Sequence, residues 1–220
     1  MFLLDIMERG GTWMWVLLVA LLCGLGIVAE RAFTLYIRSW LDTRKLQAQV
    51  MAHVEAGNFN RALGACNVRS GHPLPKVLKA GLMKANRRER EIERAMEEEM
   101  LRAIPILQQR MSYIAMLANI ATFIGLLGTI MGLIHAFEGV ASASAAARQQ
   151  LLAEGISQAM LTTAFGLITA VPMMVFHTIL SARQQRILFA VEEGAASLIG
   201  ALVGRRGQEP GGMGTPGLAA

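Results

Sequence analysis

MSYIAMLANIATFIGLLGTIMGLIHAF, residues 111–137, and GISQAMLTTAFGLITAVPMMVFHTILSA, residues 155–182, decide the fold, because neither contains an Asp, Glu, Lys or Arg. At 27 and 28 residues, both exceed the roughly 20 that a helix rising about 1.5 Å per residue needs to cross a hydrocarbon core about 30 Å thick. Residues 10–29, between Arg9 and Glu30, supply a third uncharged run of 20. The chain of 220 residues is 54% hydrophobic, with a mean hydropathy of +0.43, which is too apolar for an ordinary soluble domain. The fold class expected is an all-α integral membrane protein. Three transmembrane helices extend as long helices into a helical cytoplasmic domain. The first run reads as a retained helix: Asp5, Glu8 and Arg9 are not a basic leader, and Glu30-Arg31 replaces a small-residue cleavage site.

Orientation follows from the basic residues. Of 21 Lys and Arg, 15 lie in 30–110, and Arg183, Arg186, Arg205 and Arg206 follow the last run. By the positive-inside rule these segments are cytoplasmic. The chain then divides into an outward-facing N-terminus (1–9), transmembrane helix 1 (10–29), a cytoplasmic helical region (30–110) and transmembrane helix 2 (111–137). A periplasmic loop (138–154), transmembrane helix 3 (155–182), a cytoplasmic helix (183–204) and a disordered tail (205–220) complete it. Trp13 and Trp15 at one end of the first run, with Tyr36 and Trp40 beyond the other, suit the two interfaces. The net charge of +5 is a topology signal, and no nucleic-acid partner is expected. Cys23 and Cys66 fall in different regions and are not expected to pair.

In the cytoplasmic part the helix after Glu30 is expected to run on through Trp40 towards His53, with Gly57 as its C-cap and Asn58 or Asn60 capping a short helix to Cys66. After the Ser70–Pro75 loop, a single long charged helix is expected from Lys76, kinked at Pro105 as the chain enters the membrane.

The uncharged spans are not uniformly apolar. The first carries Asn119, Thr122 and Thr129; the second carries Gln158, Thr162, Thr163 and Thr169. A hydroxyl or amide inside hydrocarbon needs a partner on its own helix, on a neighbour, or in water. Gly125, Gly128 and Gly132 mark a face where another helix can approach closely, as does Gly166 on the second span. Pro172 frees a carbonyl one turn earlier. These features fit tight packing as well as an ion path. Threonine does not titrate near neutral pH, so a proton path along these hydroxyls would borrow its acid from another polypeptide. Metal-ligand clusters, nucleophile–base pairs and phosphate-binding glycine loops are missing from the sequence, so neither an enzyme nor a bound cofactor or metal is expected.

The strings Leu126-Leu127-Gly128-Thr129-Ile130-Met131-Gly132-Leu133-Ile134-His135-Ala136-Phe137 and Gly155-Ile156-Ser157-Gln158-Ala159-Met160-Leu161-Thr162-Thr163-Ala164-Phe165-Gly166-Leu167, continuing to Ala170-Val171-Pro172, resemble the MotA/TolQ/ExbB proton-channel family. Three spans rather than four resemble its ExbB/TolQ branch. The resemblance implies a homopentamer in the bacterial inner membrane around a dimer of ExbD/TolR-like single-span partners, each with a membrane aspartate. It implies conduction of H⁺ and coupling of proton motive force to mechanical work or energised transport. Thr129 and Thr163 match the family's pore threonines, with Gln158, Thr162 and Thr122 as further ion-pathway candidates. Gly125, Gly128, Gly132, Gly166 and Pro172 are the packing and kink candidates. Gln158 stands where many ExbB and TolQ members carry Glu, and an amide cannot exchange a proton. The alternative function is a non-conducting scaffold that oligomerises and stabilises a partner.

Overall fold

A computed structural model describes residues 7, 10–68, 70–142 and 144–208. The described residues are helical and turn segments without a strand. The helices are α1 (Thr12–Ala32), α2 (Thr43–Glu55), α3 (Phe59–Ala65), α4 (Leu74–Met83), α5 (Glu89–Gln108), α6 (Met111–Ser142) and α7 (Ala145–Gln208). A π-helical segment, Phe33–Arg38, follows α1. Three helical stretches are long and apolar enough to cross a membrane, within Thr12–Glu55, Glu89–Ala141 and Ala146–Arg205. The described residues form two compact units, those within 1–33 together with those within 109–182, and those within 34–108 together with those within 183–208.

In the first unit α1 packs along α6. Its buried positions Met14, Leu17, Ala20, Gly24, Val28 and Arg31 recur every three or four residues, so one stripe faces inward. Gly24 is a notch for the Met173 side chain, which a Cβ there would strike. Leu17, Ala121 and Ala170 bring α1, α6 and α7 into one cluster. Arg110, with φ of +63°, turns the chain into α6, and its guanidinium pairs with Glu30 at the end of α1.

The second unit is built on a soluble-type core. Leu46, Val50 and Val54 of α2 pack with Leu74 and Leu78 of α4, Ile92 and Met96 of α5, and Val191 and Leu198 of α7. Asp42 caps α2 by accepting from the Lys45 N–H at 3.2 Å. Gly57, with φ of +77°, ends the α2 region, and Asn58 occupies the N-cap position of α3. The Arg205 guanidinium donates to the Val54 carbonyl at 2.7 Å and lies 5.4 Å from the Phe59 ring centre. It fills the space that a Cβ on Gly57 would take. His72 is buried, and its Nδ1 accepts the Leu74 N–H at 3.2 Å.

Several boundaries differ from the sequence expectation. The helix after Glu30 does not continue to His53: the π segment closes with Ser39 N–H donating to Thr34 O at 3.0 Å, and α2 starts afresh behind Asp42. The expected long helix from Lys76 is a hairpin, α4 and α5, folded at residues 84–88. Folding back lets Met96 pack against Gly81 and buries the apolar stripes of both helices, which one straight helix would leave in water. Pro105 lies inside α5, and the interruption falls at Arg110, where the left-handed backbone ends the helical path. Most of the expected loop over 138–154 is helical, because α6 runs to Ser142 and α7 begins at Ala145. Span three and the following helix are one element, and it continues to Gln208, so 205–208 is helix rather than tail. Residues 209–220 and most of 1–9 lie outside the described residues.

Candidate functional site

Small residues set the distance between α6 and α7. A Cβ on Gly166 would lie 2.9 Å from both the Ala121 carbonyl oxygen and the Gly125 Cα. A Cβ on Gly128 would meet the Thr162 methyl at 2.7 Å, and one on Gly132 the Ala159 Cβ at 3.1 Å. Gly155 opposes Ala136 in the same way at the end of the seam. The two backbones therefore approach as closely as glycine and alanine allow, which maximises dispersion contact where lipid offers no hydrophobic driving force.

This close approach brings two hydroxyls, 34 positions apart in sequence, into one network. Thr129 Oγ1 and Thr163 Oγ1 hydrogen-bond to each other. Thr129 Oγ1 also lies 3.1 Å from the Gly125 carbonyl oxygen and 3.4 Å from that of Ala159. Thr163 Oγ1 reaches the same Gly125 carbonyl at 3.2 Å. Each hydroxyl carries one proton and two lone pairs, so the acceptors outnumber the two protons. One hydroxyl can donate to a carbonyl while the other donates to its neighbour, and the roles can exchange by rotation of the O–H bonds. Lone pairs remain for an incoming donor or cation. Both threonines are only half-buried.

The other candidates divide by position. Thr162 is buried in the seam and donates to the Gln158 carbonyl at 2.7 Å, with its methyl against Gly128. Thr122 is exposed and donates back to Ala118 O at 3.2 Å, away from the hydroxyl pair. Gln158 is half-buried; its Nε2 would lie 2.5 Å from a Cβ on Gly11, whose φ of +72° suits glycine. Gly125, Gly128, Gly132 and Gly166 all line the α6–α7 seam. Pro172 is exposed and lies within α7 without ending it. Thr169 is fully buried, and its hydroxyl has no hydrogen-bond partner among the described residues.

Sequence reasoning missed Ala121, Ala136, Ala159 and Gly155, which complete the seam, and the Gly11 and Gly24 notches on α1. Alanine carries no signal of its own, although Ala159 and Gly155 lie four residues apart on the expected face. A groove of mixed polarity, about 570 Å³, on the first turns of α7, lined among the described residues by Gln150, Ala153, Glu154, Ser157, Gln158 and Leu161, was also missed. An adjoining, largely apolar groove of about 580 Å³ shares Ala153, Ser157 and Leu161 and reaches Ala164. Outside the seam both helices expose large apolar side chains: Phe123, Ile130 and Phe137 on α6, and Met160, Leu167 and Val171 on α7. Such surface belongs against lipid or another chain.

Comparison with known proteins places this architecture. Residues 69–193 match the family model described as the MotA/TolQ/ExbB proton channel family, which takes in both α6 and the hydroxyl-bearing part of α7. The Tol-Pal system protein TolQ of Haemophilus influenzae is 38% identical over 94 residues, covering 43% of this chain and 41% of that protein. The biopolymer transport protein exbB1 of Vibrio cholerae is 38% identical over 79 residues, covering 36% and 35% respectively. A putative biopolymer transport protein ExbB homolog of Methanothermobacter thermautotrophicus is 24% identical over 181 residues, covering 82% of this chain and 63% of that protein. The chain thus spans less than half the length of the first two relatives. Tight glycine packing, the paired hydroxyls and the matched segment agree: the chain belongs to the MotA/TolQ/ExbB proton channel family, on its ExbB/TolQ-like side.

Proposed function

We propose that this protein is a ring-forming subunit of an inner-membrane proton channel that couples proton motive force to mechanical work or energised transport. Its acid is supplied by a single-span partner similar to ExbD or TolR. The observation that carries this reading is the Thr129–Thr163 pair, whose hydroxyls sit on an α6–α7 seam built from spans without a titratable acid. A partner carboxylate beside the pair would accept hydrogen bonds from the hydroxyls when ionised and donate one to them when protonated. The two states are thus both stabilised, and the cost of a bare charge in the membrane is reduced. Each elementary charge moved across 100 mV releases about 2.3 kcal/mol, so successive protonations can move the partner against the ring. The apolar faces of α6 and α7 suit both lipid and neighbouring copies, and a pentamer is the assembly we propose. The charge distribution favours a periplasmic N-terminus and a cytoplasmic C-terminus.

The test uses the complex purified from its native membrane through a tag on this chain and reconstituted in liposomes. Under an imposed potential, T163V is expected to abolish proton uptake while leaving the size of the complex unchanged. Thr178 is exposed on the same helix and bonds back to Met174 O at 2.9 Å, so T178V is the control and keeps full flux. Wild-type flux in T163V would overturn the pore role. A wild-type complex that assembles with its partner and passes no protons would establish the scaffold instead.

A further inference from the structure

We propose that the groove beside the π-helical segment seats the phosphate headgroup of an anionic membrane phospholipid. This site rests on the membrane fold and is independent of the pore reading. The groove holds about 420 Å³ and is lined, among the described residues, by Ile37, Arg38, Trp40, Ser70 and Gly71. That volume falls in the range of sites that hold small-molecule groups, roughly 300–1,000 Å³.

Two segments distant in sequence build it. The Gly71 N–H donates to the Arg38 carbonyl at 3.0 Å, and a Cβ on Gly71 would lie 2.9 Å from Arg38 Cγ. Glycine thus lets the 70–71 backbone lie directly against the Arg38 stem. The Trp40 N–H donates to Ile37 O at 3.3 Å and closes the turn after the π segment. These bonds occupy backbone donors and leave the side-chain donors available. The Ser70 hydroxyl accepts from the His72 N–H at 3.4 Å, which leaves its own proton to donate. The Arg38 guanidinium is exposed and makes no hydrogen bond or ion pair among the described residues. With the Trp40 indole N–H these groups form a set of donors, and no carboxylate stands among the described lining residues. The nearby Asp42 is engaged elsewhere, capping α2 and pairing with Lys45 at 3.2 Å. Such a set suits an anion that only accepts, and a guanidinium can hold two oxygens of a phosphodiester at once.

The apolar surface around the donors selects a lipid over a soluble phosphate. Ile37 is 62% exposed and Trp40 78%, area that acyl chains cover better than water does. Twenty helical residues advance about 30 Å, the thickness of the hydrocarbon core. A span anchored at Trp15 therefore reaches the opposite interface near Leu35, three residues before Arg38. Tryptophan favours that level, and basic pockets there hold lipid headgroups. A headgroup of net negative charge fits better than a zwitterionic one, whose cation would meet no carboxylate among the described lining residues. Bound there, the lipid ties the π segment and the Ser70–Gly71 backbone to the headgroup layer.

The experiment takes the complex purified from its native membrane in detergent and counts bound lipid by native mass spectrometry. Dioctanoyl phosphatidylglycerol is titrated against wild type, R38Q, R38K and R90Q, with dioctanoyl phosphatidylcholine and inorganic phosphate as comparison ligands. Wild type is expected to take one phosphatidylglycerol per copy of this chain. R38Q should weaken that binding about tenfold, the worth of one charged hydrogen bond, and R38K should fall between the two. R90Q, at an exposed position on α5, should match wild type. Phosphatidylcholine should bind more weakly than phosphatidylglycerol, and inorganic phosphate should displace neither. The same spectra report the size of each complex; if R38Q fails to assemble, weaker binding by R38K carries the test. Equal affinity in wild type and the Arg38 variants overturns the site. Displacement by inorganic phosphate makes it a soluble-anion site and overturns the lipid assignment, and equal binding of phosphatidylcholine overturns the selection by charge.

Discussion

Gly166→Ala tests whether backbone proximity between α6 and α7 sets the site. The added Cβ would sit 2.9 Å from the Ala121 carbonyl oxygen and the Gly125 Cα, about 0.5 Å short of ordinary contact, which begins at 3.4 Å. Both obstacles are backbone atoms, so no side chain can rotate away and the helices must separate. Overpacking of this kind costs about 1–3 kcal/mol. Alanine also raises intrinsic helix stability over glycine by about 1 kcal/mol, which partly hides the steric cost. Gly26→Ala supplies the correction, because nothing lies within 4 Å of a Cβ at Gly26, an exposed position inside α1. Unfolding in mixed detergent–SDS micelles should place G166A below G26A by about 1–3 kcal/mol. The same separation pulls Thr163 from Thr129 and Gly125, so flux through reconstituted G166A should fall while G26A conducts normally. If G166A and G26A unfold together, the glycines are not what holds the seam at its spacing, and the argument for a geometrically enforced hydroxyl pair fails.

Three further outcomes concern the second unit. Burial, with a smaller contribution from nearby Arg183, lowers the His72 pKa to about 4, and its neutral Nδ1 is needed as the acceptor for Leu74 N–H. Between pH 6.5 and about 4 the unfolded chain binds the extra proton, so stability should fall by up to about 3 kcal/mol as pH drops through that window. H72Q should flatten that part of a stability–pH curve. Arg205→Met should destabilise the α2–α3 turn by about 1–3 kcal/mol through loss of a charged hydrogen bond and a ring contact. Hydrogen exchange at residues 53–58 should then rise well above exchange in α4, and equal protection would count against the clamp. Burial raises the Cys66 thiol to about 11, leaving on the order of 10⁻⁴ as thiolate at pH 7. Maleimide should therefore modify Cys66 only after unfolding, and rapid labelling of the folded protein would contradict the packing described.

The spans were legible because uninterrupted hydropathy is a local property, and so were the Gly57 cap and the Asn58 start, which depend on single residues. Gly128 and Gly132 announced a packing face for the same reason. The Thr129–Thr163 bond was not legible as a contact: a helical wheel treats each span alone, and the pairing depends on the register of two antiparallel helices. Thr122 lies seven residues before Thr129, on the same side of an ideal helix, yet it makes only the bond back to Ala118 O and none to α7. The hairpin between α4 and α5 escaped notice because residues 84–88 contain no Gly or Pro. Its cause lies in the stripes that Leu78, Leu82, Ile92 and Met96 bury together. Likewise, Glu30 and Arg110 are 80 residues apart, and only the packing of α1 on α6 makes them neighbours.

A structure of the intact complex, purified from its native membrane, would show where the hydroxyl pairs point. Thr129 and Thr163 of every copy are expected to face an enclosed central cavity that holds a partner helix, with that helix's carboxyl group within hydrogen-bond reach of the pair. Hydroxyl pairs turned outward to lipid, with no acid-bearing helix beside them, would contradict the pore reading.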